Sequence, residues 1–129
     1  MRHIGVVIVL ALLSSCDKTV YLEAELRAQE HFGSVEVGHT EESVIQLFGP
    51  PLGTVKSTES GLVFEDHSAG SPETLALPDD ETLHLPELIR FMPKRPTTGK
   101  VLVYNEGTVT AYYFIDANGL VEFVSVHTT

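Results

Sequence analysis

Thr108–His127 reads TVTAYYFIDANGLVEFVSVH, and this stretch decides the fold class. Thr108 to Asp116 is rich in β-branched and aromatic residues, and Leu120 to His127 repeats that character. Between them Asn118-Gly119 is a strong signal for a two-residue type I′ turn. With that turn, Phe114 falls opposite Phe123 and Tyr113 opposite Val124. Alternation then divides the hairpin into two faces. Ala111, Tyr113, Ile115, Leu120, Val124 and Val126 form one. Tyr112, Phe114, Val121 and Phe123 form the other. Both are apolar enough to need cover.

Working back from the hairpin, Lys100 to Tyr104 is a further strand, turned by Asn105-Glu106-Gly107. Leu52 to Ser57 and Leu62 to Asp66 read as two strands around Glu59-Ser60-Gly61. The clearest helix lies ahead of them. Thr40 is an N-cap, Glu41 and Glu42 suit the positive end of the helix dipole, and Val44, Ile45, Leu47 and Phe48 supply an apolar face. Gly49 followed by Pro50-Pro51 ends it. The aliphatic hairpin face is the natural seat for this helix. That leaves the aromatic face for the segment 67–98 or for a partner. Segment 67–98 holds five of the seven prolines and no period-two pattern. It reads as a long surface insertion with one helical turn near Pro86–Arg90.

The chain begins with a basic end, Met1-Arg2-His3, an apolar run from Ile4 to Leu13, and the small residues Ser14 and Ser15 before Cys16. This is the layout of an export signal, and the run is too short to span a bilayer. Leu13-Ser14-Ser15-Cys16 resembles a bacterial lipobox. The resemblance implies cleavage before Cys16 and lipidation of its sulfur, so residues 1–15 are expected to be a lipoprotein signal peptide. Residues 16–34 then form a lipidated tether, in which Thr19–Phe32 is either a short helix or a solvated spacer. A domain follows over 35–129. Asp17 resembles the signal that retains lipoproteins in the inner membrane, so the periplasmic face of that membrane is favoured over the outer membrane.

Formal net charge is −10, and removal of residues 1–15 leaves 7 basic against 18 acidic residues. That excess argues against nucleic acid as a partner. Cys16 is the only cysteine, and once lipidated it leaves no thiol for catalysis or a disulfide. There is no nucleophile elbow, phosphate-binding loop or H-x-x-x-H spacing. Glu65-Asp66-His67 and Asp79-Asp80-Glu81 with His84 are metal-donor types without fixed spacing. No catalytic residue, metal or cofactor is expected.

Val37-Gly38-His39-Thr40-Glu41-Glu42-Ser43-Val44, then Leu47-Phe48-Gly49-Pro50-Pro51, is similar to the G-x-T-x-x-x-V…L-x-G-x-P segment of the SmpA/OmlA (BamE-like) domain family. Tyr112 to Leu120 resembles that family's Y-x-F-x-x-x-G-x-L hairpin. The resemblance implies an α+β fold of two short N-terminal helices on a three-stranded antiparallel sheet, related to the β-lactamase-inhibitor-protein fold, here with a long loop insertion at 67–98. It also implies a non-catalytic protein-binding or scaffold lipoprotein in cell-envelope assembly or maintenance. Its partners would be the membrane, through lipid on Cys16, and another envelope protein. Tyr112, Phe114 and Phe123 are the candidate partner-binding residues. A second reading makes the same sheet face the binding surface of a periplasmic inhibitor or sensor.

Overall fold

A computed structural model describes residues 16–68, 70–78, 85–97 and 99–129, with the side chains of the first helix described from Leu22 onward. The expected signal peptide, residues 1–15, and the group Asp79-Asp80-Glu81 with His84 lie outside the described residues. Helix α1 runs Cys16–Gly33 and α2 Glu41–Phe48. The strands are β1 Gly53–Thr58, β2 Gly61–Asp66, β3 Glu73–Ala76, β4 Lys100–Glu106, β5 Val109–Ile115 and β6 Val121–Thr128. No described helix is long and apolar enough to cross a membrane.

The six strands form one antiparallel sheet in the order β3-β2-β1-β4-β5-β6. The class is α+β, but the expected three-stranded sheet is wrong. The pairing of β1 with β4, with Val55 opposite Val101, brings the β1–β2 hairpin into the same sheet as the C-terminal hairpin. Segment 73–76 then joins β2, with Leu75 opposite Phe64. Short family-like motifs at α2 and the hairpin contain no information about that pairing.

The sheet order also explains the length of 67–98. β3 is an edge strand, while β4 lies three strand positions away, about 14 Å at ~4.8 Å per strand. The chain must cross the sheet, and it does so over one face. Leu77 and Ile89 are buried there, and Leu85, Leu88 and Met92 pack beside them against Val55, Phe64, Val101, Val103, Tyr112 and Phe114. A 3-10 turn at Glu87–Ile89 sits where the sequence suggests a helical turn. Leu77 and the described residues from Leu85 to Met92 thus cover the core, whereas β3 is exposed.

The other face is covered by the helices. Ala28 and Phe32 of α1 and Val44 of α2 pack with Leu102, Tyr104, Val109, Ala111, Tyr113, Ile115 and Val121. α1 is therefore a docked helix in its second half. The caps of α2 work as its sequence suggests. Thr40 Oγ1 accepts from the Ser43 N–H at 3.1 Å, and Gly49, with φ +81°, donates its N–H to the Ile45 carbonyl at 2.7 Å. Phe48 stacks on Tyr113, with ring centroids 5.7 Å apart, and the Tyr104 hydroxyl donates to the Gly49 carbonyl at 2.8 Å.

The β5–β6 turn differs from the expected type I′, which requires positive φ at both central residues. Asn118 has negative φ, because only glycines are positive among the described residues. Gly119 donates to the Asp116 carbonyl and Asp116 to the Leu120 carbonyl, which makes a three-residue loop with Gly119 at φ +80°. Asp116 Oδ1 accepts from the Asn118 and Leu120 N–H groups. A bulge then passes over Glu122, because Ile115 pairs with Val121 and Phe114 with Phe123. The longer loop and the bulge cancel, so Phe114 still faces Phe123 and Tyr113 still faces Val124. Val121 changes sides and enters the helix-side core, whereas Leu120, expected on that face, is 37 % exposed.

Burial pushes the Tyr104 and Tyr112 hydroxyls up to about 12, and burial with the Tyr104 field pushes Tyr113 higher still. Their neutral forms are favoured in the folded state. The stability they contribute is complete below the unfolded value near pH 10 and is lost as pH rises toward 12. A spectrophotometric titration is expected to show Tyr104, Tyr112 and Tyr113 ionising only together with loss of the near-ultraviolet dichroism of the fold. Gly99, at φ +77°, has no room for a Cβ, which would collide with the Ile115 carbonyl oxygen. Gly99→Ala is expected to lose about 2–3 kcal/mol of stability in denaturant melts, whereas Gly107→Ala, with open space around it, should lose less.

Candidate functional site

The structure separates the three candidate binding residues. Tyr112 is 0 % and Phe114 1 % exposed, both beneath the crossing segment. Their faces are occupied within the chain, and the Tyr112 hydroxyl donates to the Leu88 carbonyl at 2.9 Å. Phe123 is 37 % exposed and lies on the edge strand β6. Cys16 is the first residue of α1, at the end away from the packed turns around Ala28 and Phe32.

Around Phe123 the crossing segment assembles a surface row. Alternation on β6 places Phe123, Ser125 and His127 on the crossing-segment side of the sheet. Phe123 meets Phe114 edge to face at 5.5 Å. Lys94 lies over both rings, its Nζ 4.5 Å from the Phe123 centroid and 5.4 Å from that of Phe114, within cation–π range. Phe91 stacks on His127 with centroids 4.0 Å apart and planes 17° from parallel. Phe91, Lys94 and Phe123 are exposed, and Ser125 and His127 half-buried. The row thus carries aromatic faces and an exposed ammonium along the edge strand β6, which past Val121 is unpaired on its outer side among the described residues. Such groups suit partner binding, because rigid rings give contact area with little entropy to lose and the ammonium adds a charge for a carboxylate to meet.

Lys94, Phe91 and His127 carry no sequence signal for this role. Lys94 and Phe91 lie in the proline-rich crossing segment, and their meeting with β6 depends on the crossover. Only Phe123 was legible, from hairpin alternation.

Beside the row, an open cleft of about 600 Å³ lies between the crossing segment and the sheet end, with Asp66, Ser68, Arg90, Phe91, Asn105 and Thr110 in its wall. Its polar groups are largely engaged already. Asp66 Oδ1 accepts from the Ser68 N–H and Oγ, and the hydroxyl contact chiefly holds its carboxyl below the usual range. Asn105 Nδ2 donates to the Val109 carbonyl and to Thr110 Oγ1. In the Glu65-Asp66-His67 group, Lys56 Nζ bonds Glu65 Oε1 at 3.1 Å while His67 Nε2 stands 3.7 Å from Glu65 Oε2. Asp66 is turned to Ser68, so the three do not converge. Among the described residues no three His, Cys, Asp or Glu side chains form a metal-binding group.

In comparisons with known proteins, no family model, no curated sequence and no solved structure matches this chain.

Proposed function

We propose that this chain is a lipid-anchored lipoprotein of the bacterial envelope that acts by binding another envelope protein rather than by catalysis. The observation that carries this reading is the row of Phe91 on His127 and Lys94 on Phe123 along the edge strand β6. Lipid on Cys16 holds the protein to the periplasmic face of a membrane, the inner one in keeping with Asp17. α1, about 27 Å long at ~1.5 Å per residue, acts as a stand-off between anchor and sheet. The short α2 and hairpin motifs similar to the SmpA/OmlA family support a place in envelope assembly or maintenance. The role is that of a scaffold or binding module.

Two variants in cells test this. Cys16→Ala is expected to move the protein from the membrane to the soluble periplasmic fraction. Lys94→Glu combined with Phe123→Ala is expected to leave it membrane-bound and folded. That pair should remove at least nine-tenths (roughly 1.4 kcal/mol) of the cross-linking to envelope protein from a photoreactive residue at Ser125. Cross-links that survive the double change, or a Cys16→Ala protein still held in the membrane, would count against the reading.

A further inference from the structure

We propose that the outer edge of β6 is a strand-docking site, which takes an extended acidic segment of another protein as a seventh strand of the sheet. It rests on the protein-binding reading above and adds how the partner is held.

The backbone directions follow from the ladder. Thr129 donates its N–H to the Thr108 carbonyl at 3.0 Å, so this pair belongs to the hydrogen-bonded set. Bonded and non-bonded pairs alternate in an antiparallel ladder. The register pairs Thr110 with His127, Tyr112 with Ser125 and Phe114 with Phe123, so these exchange bonds. Val124, Val126 and Thr128 must therefore turn their N–H and C=O groups outward, away from β5. Across the bulge Val121 also faces outward, and there the chain itself uses the edge. Gly38 donates to the Val121 carbonyl at 2.8 Å, and Val121 donates to the His39 carbonyl at 2.7 Å. The Gly38–Thr40 segment is thus a short stub of extra strand, with Thr40 bridged to Leu120. Among the described residues, no further backbone continues this pairing past Val121.

From Phe123 onward the edge lacks two of the usual protections. Exposed edges are commonly blunted by proline, by lysine or by shortness. β6 is 8 residues long and contains neither proline nor lysine. Its bulge at Glu122 lies at the end already met by Gly38 and His39.

Both flanks of the edge offer side-chain contacts. On one side is the row of Phe123, Lys94, Phe91 and His127. On the other, Val124 and Val126 adjoin the helix-side core, and α1 meets the end of the edge at Thr128. Gln29 Nε2 bonds Thr128 Oγ1 of β6 at 2.7 Å, whereas His31 leans the opposite way toward Glu106 of β4. Leu22 and Leu26 lie toward the solvent side of α1, in the turns around Glu25, which accepts from Thr108 Oγ1 at 2.7 Å at the end of the sheet. They are 59 % and 51 % exposed. A strand laid on β6 would alternate its side chains between these flanks. One set would lie beside Val124 and Val126 on the helix side, and the other would meet the aromatic rings and Lys94.

Charge selects the occupant. In a chain of net charge −10, the row presents an exposed ammonium, with Arg90 adjoining Phe91. A carboxylate on the incoming strand complements it. A second copy fits worse, because two-fold pairing of two β6 strands would bring two cationic rows together on one face of the joined sheet.

The test uses the full chain in detergent and two acetylated nonapeptides. Both alternate threonine and valine, and the central residue is aspartate in one and lysine in the other. Amide hydrogen exchange is expected to slow at least tenfold at Val124, Val126 and Thr128 with the aspartate peptide. That peptide is expected to bind at least fivefold more tightly than the lysine peptide, and Lys94→Gln should erase the difference. Unchanged exchange at the three amides, or equal binding of the two peptides, would overturn the proposal. So would protection that follows protein concentration without peptide, which would make a second copy the occupant. If cross-links at Ser125 persist while these amides stay open in the cross-linked complex, strand addition fails and the binding reading stands. If the cross-links also survive Lys94→Glu with Phe123→Ala, both fail.

Discussion

Two adjacent tyrosines hold the layers of this molecule together. All seven residues of β5 are buried, so both faces of the strand must be covered. Tyr112 and Tyr113 point to opposite faces, and each hydroxyl donates to a backbone carbonyl of the element that covers it. Tyr113 bonds the Phe32 carbonyl at the end of α1, at 2.5 Å. Tyr112 bonds the Leu88 carbonyl of the crossing segment, at 2.9 Å. Each ring supplies apolar area and each hydroxyl satisfies a carbonyl that helix or turn geometry leaves free. Without those partners the two hydroxyls would be buried at a cost of about 1–3 kcal/mol each.

The candidate surface depends on the same arrangement. Because Tyr112 fixes the 3-10 turn, the residues just beyond it, Phe91 and Lys94, reach the β6 edge. Because Tyr113 fixes the end of α1, Gln29 reaches Thr128 at the end of that edge. The binding surface is therefore made where both covers stop, one strand beyond the buried centre of the sheet. The acidic character of the rest of the chain makes Lys94 more distinctive there than a lysine would be on an ordinary surface.

Local features of the fold were legible in the sequence. Thr40 and Gly49 bound α2, and the β-rich runs mark β1, β2 and the C-terminal strands. Hairpin alternation puts Phe114 opposite Phe123. Where reading failed, the determinant was distant or subtle. Strand count depends on β1 finding β4 across 41 residues of intervening chain, which no local pattern encodes. Val121 changed sides because one bulge residue, Glu122, shifts the alternation. Tyr112 and Phe114 look like a docking face until the crossover is seen to cover them. Of the site, only Phe123 could be read, because its neighbours arrive by tertiary folding.

Native-state hydrogen exchange on Tyr112→Phe and Tyr113→Phe, compared residue by residue, tests the two-cover account most directly. Tyr112→Phe is expected to speed exchange in 85–97 while leaving the second half of α1 unchanged. Tyr113→Phe is expected to do the reverse. Uniform loosening by both substitutions, or none by either, would contradict the claim that each tyrosine secures its own cover.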